Sequence, residues 1–267
     1  MKALSILAAL IFTLPNSQAG QQASASPSSS SSQAATLLAR SAAALTGNTT
    51  LSDVTLTGTA NRIAGSDNET GSAVFKALTS GAGRADLNLS SGPRSEVHNS
   101  SGISPTGSWS GPDSISHATP YHNLLTEPAW FFPAFAIARR LSTPGYVATY
   151  VGHETHNSHL VEHISVSKTP PAETGAGAPF VQRLTQVEFF LDSTSLLPVA
   201  ISFNIHPDSN ALVDIPVEID FSDYRAVNGC QVPFHIEKYL NNSLSLDFQA
   251  NSVNFNTGLA ASTFNVQ

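Results

Sequence analysis

Apolar side chains recur at every second position through most of this chain, and that pattern commits it to pleated strands with one buried face. Val54, Leu56, Gly58 and Ala60 alternate with Thr55, Thr57, Thr59 and Asn61. Gly71, Ala73, Phe75 and Ala77 mark the face of a second strand, and Ala85, Leu87 and Leu89 that of a third. After Tyr146 the period returns in Val147–Val151, Leu160–Val166, Val187–Leu191 and Val199–Ile205. It continues in Ile215–Phe221, Val232–Ile236 and Leu244–Phe248. Turn residues separate the runs: Gly65-Ser66-Asp67-Asn68, Ser91-Gly92-Pro93, His156-Asn157-Ser158 and Asp192–Leu197. Asn228-Gly229 is the strongest hairpin signal. About ten strands in an antiparallel meander are expected. A sheet that wide must curl, and its concave apolar face then needs a filling.

Two segments break the period. Ala34, Leu37, Leu38, Ser41, Ala44 and Leu45 fall at helical spacing, with Ser32 as N-cap and Gly47 as stop, which predicts an amphipathic helix of about three turns. The run Asn123–Leu141 is apolar nearly all round through Trp130, Phe131, Phe132, Phe135, Ile137 and Leu141. Thr126 is read as its cap and Pro128 as its first turn. Pro133 should kink or split it, and Arg139 and Arg140 suit its last turn. A helix of that composition is covered on most sides, so it is the expected filling. Ser100–Thr119 and Lys168–Pro179, rich in Gly, Ser, Pro or Ala, are expected to be irregular. The fold class is therefore α+β, mainly β: a curled antiparallel sheet forming a half-open barrel, with an N-terminal helix and a helical aromatic insert over the concave face.

Residues 1–19 read as a secretory signal peptide: Lys2, the apolar run Ala3–Leu14, and small residues up to Ala19. The run is shorter than the ~20 residues a membrane span needs, and no stable span is expected in the mature chain. Residues 20–32, with QQASASPSSSSS at 21–32, are expected to be a disordered Ser-rich tether. Residues 33–267 are expected to form a single domain in the periplasm or outside the cell. The only cysteine, Cys230, leaves no intrachain disulfide. The net charge of −7 becomes −8 once Lys2 is removed, and it argues against nucleic acid as a partner.

Several groups invite a chemical reading. His153, His156, His159 and His163 lie close together with Glu154 and Glu162, and imidazoles so placed can hold a metal ion. On a hairpin His153, His159 and His163 share parity and, depending on the turn, a face. The spacing is not that of a helical HExxH site, a solvated hairpin is the preferred reading, and no metal site is assigned. Asp214, Glu218, Asp220 and Asp223 are candidates for paired acid/base work. Because Glu218 and Asp220 alternate with Val217, Ile219 and Phe221, they read instead as the wet face of a strand. Gly107-Ser108-Trp109-Ser110-Gly111 resembles a nucleophile elbow only superficially, since Trp109 occupies the central position. Cys230 reads as a strand residue. No enzyme, no catalytic residue and no cofactor are expected.

The run Phe189-Phe190-Leu191-Asp192-Ser193-Thr194-Ser195-Leu196-Leu197-Pro198-Val199 resembles a strand–turn–strand of bacterial lipoprotein-carrier (LolA/LolB-like) proteins. So does Ile215–Tyr224 followed by Asn228-Gly229-Cys230-Gln231-Val232-Pro233, and the small helix after a signal peptide fits as well. The resemblance is clearest over Val181–Phe255 and architectural before it. It implies an incomplete antiparallel barrel with helices over its concave face and an apolar cavity between that holds acyl chains. No family residue is carried over one for one. The candidate cavity lining is Trp130, Phe131, Phe132, Phe135 and Ile137 with the inward-facing Phe189, Phe203, Phe221 and Phe234. The expected partner is a lipid or the acyl chain of a lipoprotein, bound by a carrier or sensor. The alternative is a non-enzymatic protein–protein interaction module of the envelope with a filled core.

Overall fold

The computed structural model describes residues 27–100, 104–169, 175 and 177–266. The segment read as a signal peptide and the first residues of the expected tether lie outside them. Helix α1 (Pro27–Thr46) opens the described chain, so the last six tether residues are helical. Helix formation is cooperative, and the serines ahead of Ala34 extend the turns that the packed leucines start.

Four strands follow in sequence: β1 (Asp53–Ala64), β2 (Asp67–Leu78), β3 (Ala82–Leu89) and β4 (Gly92–Asn99). The segment expected to be irregular then adds β5 (Thr106–Ser110) and β6 (Ser116–Ala118). Its Gly/Ser composition hides them, because their order comes from pairing with β4 and with each other. After the insert come β7 (Tyr146–His156) and β8 (His159–Lys168), helix α3 (Ala178–Thr185), then β9 (Val187–Asp192) and β10 (Pro198–Ile205). The last three strands are β11 (Ile215–Val227), β12 (Cys230–Leu240) and β13 (Ser243–Phe255).

These thirteen strands form one antiparallel sheet among the described residues, in the order β6-β5-β4-β3-β2-β1-β13-β12-β11-β10-β9-β8-β7. β1 and β13 meet in the middle and β6 and β7 remain edges, so the curled sheet is a half-open barrel. Edge strands invite unwanted pairing. Here β6 is three residues long and β7 carries a bulge between Tyr150 and Gly152. Ser30 of α1 also satisfies part of that edge: its Oγ donates to the Tyr150 carbonyl (3.0 Å) and accepts from the Tyr150 N–H (3.1 Å).

The turn chemistry follows the sequence. Asn228 and Gly229 both have positive φ, 49° and 85°, as a two-residue hairpin requires. Asn157-Ser158 and Asn241-Asn242 do the same job. Asp53 fastens the start of β1 to the segment that follows β13. Its carboxylate, buried at the start of β1, accepts from the N–H and Oγ1 of Thr257, the N–H of Gly258 and Oγ of Ser52, at 2.8–3.1 Å. Burial alone would raise its pKa, but those hydrogen bonds outweigh it and hold it below the usual carboxylate range. Asp53→Ala leaves two backbone donors unpaired and should cost about 1–3 kcal/mol in urea unfolding at pH 7. Because the folded-state pKa is depressed, the contribution is complete above the ordinary Asp value and fades as pH falls through the depressed one. A variant that melts in parallel with the parent from pH 7 down to pH 2 would contradict this.

Candidate functional site

The inward face of the sheet and the insert form one apolar cluster. Leu37, Leu38 and Leu45 of α1 join it from one side. The insert begins with a 3-10 turn at Tyr121–Leu125 and ends in α2 (Pro133–Ser142). Pro133 is neither a kink nor a break: it occupies the first helical turn, where its missing N–H is not needed. Phe132, not Thr126, stands at the N-cap, and Pro128 lies in the turn before the helix. Arg139 and Arg140 do fall in the last turn. The insert comes down onto β3 at Gly83, where a Cβ would stand 1.8 Å from the Pro128 carbonyl oxygen, so the contact needs glycine.

All nine candidate lining residues are in this cluster. Trp130, Phe131 and Phe132 precede α2, and Phe135 and Ile137 lie on it. Phe189, Phe203, Phe221 and Phe234 point inward from β9, β10, β11 and β12. Phe75 of β2 sits at the centre, with ring centroids 5.4 Å from Trp130, 5.1 Å from Phe131 and 4.4 Å from Phe248. Here the filling is dense.

The roof stops at Trp130. Beyond it, toward the β1–β2 and β12–β13 turns, the concave face is an open groove of about 660 Å³, within the ~300–1,000 Å³ range of small-molecule sites. Its apolar lining includes Ile63, Phe75, Ala85, Leu87, Leu244 and Leu246, together with the buried Trp130 (5% exposed) and the half-exposed Trp109 (45% exposed). A smaller pocket of about 220 Å³ adjoins it, sharing Trp109, Trp130, Ile205 and Lys238 and adding Phe203. Trp130 is thus the one predicted residue on the main groove. Phe75, Leu87 and Leu246 belong to strand faces that the alternation identified. Nothing in their pattern says which part of that face stays uncovered.

The rim carries charge. Arg62 of β1 and Arg94 of β4 both approach Oε1 of Glu69 on β2, at 3.6 and 3.3 Å. Hydrogen bonds from Ser91 and Ser90 and from Arg94 hold the Glu69 pKa down to about 2. Lys238 of β12 lies 4.4 Å above the Trp130 ring, its Nζ 3.9 Å from Glu96. The elbow-like segment is strand β5, which directs Trp109 into the groove and buries Ser108.

The histidines lie elsewhere. The two-residue turn pairs His156 with His159 and His153 with Glu162. His153 therefore faces away from His159 and His163, contrary to the parity expectation. On the outer face His156 and His163 stack on Phe190, at centroid distances of 3.7 and 4.4 Å. His163 lies between Glu188 and Glu154, each 2.9 Å away. Burial would lower its pKa, but the Glu188 hydrogen bond and the two carboxylates raise it overall. Glu218 and Asp220 share this face with Glu237, opposite Asp220, and receive hydrogen bonds from Asn157 Nδ2. Asp214 is engaged by Arg183 and His206, and Asp223 by Arg225, so the four acidic candidates do not converge. Among the described residues no group of three His, Cys, Asp or Glu is placed to hold a metal ion. Nor is any described helix long and apolar enough to cross a membrane. Cys230 is buried at the start of β12.

Fold and groove together define an open antiparallel half-barrel, roofed over one half of its concave face. No protein-family model matches the sequence, and no curated protein does. Solved structures do match in shape. An outer membrane lipoprotein-sorting protein domain from Vibrio parahaemolyticus aligns with 88% of this chain and 97% of its own, at TM-score 0.54 and 11% identity. A LolA superfamily protein from Nitrosomonas europaea aligns over 87% and 97%, at TM-score 0.54 and 10% identity. A DUF1329 family protein from Desulfovibrio piger aligns over 89% and 99%, at TM-score 0.52 and 9% identity. The fold is LolA-like.

Proposed function

We propose that this chain is an exported envelope protein that binds a hydrophobic ligand, a lipid or the acyl chain of a lipoprotein, in the open half of its half-barrel, as a carrier or sensor rather than an enzyme. The observation that carries this reading is the groove beside Trp130, apolar on its floor and on its roofed side yet open to solvent. Exposing such a surface is unfavourable unless something occupies it. The signal-peptide pattern of residues 1–19 supports an envelope location, and so does the likeness to a lipoprotein-sorting protein domain. A second reading, an interaction module with a filled core, draws on the dense packing of Phe131, Phe132 and Phe135 under the roof.

The chain has two tryptophans, and both line the groove. Titration with palmitate or 1-monopalmitoylglycerol, below micelle-forming concentrations, should shift tryptophan emission to the blue as Trp109 leaves water. Trp109→Phe should remove most of that shift. If neither amphiphile changes the emission, and purified protein carries no extractable lipid, the filled-core reading takes its place.

A further inference from the structure

We infer that the groove takes a single-chain amphiphile with an anionic head, the acyl chain lying along Phe75, Leu87 and Leu246 and the head at the rim beside Arg62, Arg94 and Lys238, with Glu69 keeping its place between the two arginines. This rests on the proposed use of the groove and names the class of its ligand.

The placement of charge supports it. The chain is acidic, with a net charge of −7 and 12 Lys and Arg in all. Three of those cations reach one apolar groove from different strands. Strand register fixes their arrangement: Leu246 pairs with Arg62 on one side and Lys238 on the other, and Leu87 pairs with Arg94. Each cation thus stands beside an apolar residue of the groove floor, which is the layout an amphiphile needs.

The existing pairings leave capacity to spare. Arg62 and Arg94 share one carboxylate oxygen, at 3.6 and 3.3 Å, whereas charge-assisted hydrogen bonds run about 2.7–2.9 Å. The side chains of Arg62 and Arg94 keep 26% and 21% of their surface exposed, so an arriving oxyanion can reach both. Glu96 is 3.9 Å from Lys238, at the limit of an ion pair. With Glu69 and Glu96 counted against the three cations, the rim keeps one net positive charge. Beside an apolar wall that charge is less screened than on an open surface.

The test compares palmitate (carboxylate head), palmitoyl lysophosphatidate (phosphate head) and 1-monopalmitoylglycerol (neutral) on the full-length protein, by calorimetry at low salt. At least one anionic amphiphile should bind about tenfold or more tightly than the neutral one, and the tighter of the two identifies the head. In Arg62→Gln/Arg94→Gln that ratio should fall close to one. Lys238→Gln, made separately, should lower it by a smaller factor. Melting curves establish that each variant is folded, and should the double variant not fold, Lys238→Gln carries the test alone. Equal affinity for charged and neutral chains, or a ratio unchanged in the folded variants, overturns the charged-head assignment and leaves the groove as a neutral lipid site. Failure of all three to bind overturns the groove reading itself.

Discussion

Replacing Glu127 with Gln lowers the stability of the fold by about 3–5 kcal/mol in urea unfolding, the range expected when one partner of a buried ion pair is removed. Glu127 lies within the insert, three residues ahead of Trp130, and Arg140 at the end of α2. Their side chains are 1% and 0% exposed, with Arg140 Nη1 3.4 Å from Glu127 Oε2. Oε1 of Glu127 also accepts the Ala129 N–H, at 3.2 Å. Arg140 has little other compensation. Its guanidinium stacks over Tyr146 at 4.5 Å, and none of its Nε, Nη1 and Nη2 has a hydrogen-bond acceptor among the described residues. Neutralising Glu127 therefore strands a cation in the interior. Glu127→Leu combined with Arg140→Met should recover most of the loss, because apolar residues in place of a buried pair are often neutral or stabilising. The pair ties the two ends of the roof together, so the single variant should also loosen Trp130 and redden its fluorescence. A loss below about 1 kcal/mol would mean that water reaches Arg140, and the roof would not be sealed as described.

Asp220→Asn stabilises the protein at pH 8 and leaves it nearly unchanged at pH 4. Burial, reinforced by repulsion from Glu218 and Glu237, pushes the Asp220 pKa up to about 7, against the donor contact from Asn157. The unfolded chain loses this proton near 3.8. Between those values the folded state holds a proton that the unfolded state has released, so stability falls as pH rises across the window and stays low above it. The full shift would correspond to about 4 kcal/mol. The outer face is partly solvated, so about 1–2 kcal/mol is the expected gain at pH 8 after screening. His163 acts in the same direction: its raised pKa adds stability that is complete below its unfolded value near 6.5 and is lost as pH rises through the raised one. The slope of the parent protein alone cannot separate the two. The difference between parent and Asp220→Asn, measured by thermal melting from pH 4 to pH 8, isolates Asp220. A difference that stays flat with pH would show that this carboxylate titrates normally.

Much of the architecture was legible in the residue pattern because each strand buries one face, and burial writes a period of two. Val54, Leu56 and Ala60 are all turned inward, as are Val217, Ile219 and Phe221. Asn228-Gly229 makes its turn because few residue pairs accept positive φ at both positions. Strands β5 and β6 were not legible: Thr106–Ser110 and Ser116–Ala118 have little apolar pattern and owe their order to β4. The histidine faces were not legible either, since a turn of two residues rather than three decides which parity shares a side.

By itself the sequence determined a mainly β chain with an apolar face to cover and an aromatic segment able to cover it. Those are local properties, set by side-chain chemistry and backbone period. Only the tertiary structure decided that the roof ends at Trp130, that Glu127 meets Arg140, and that Arg62, Arg94 and Lys238 gather around one open groove. Each is a meeting of residues far apart along the chain, fixed by strand register and by how far the insert reaches, and neither leaves a local trace.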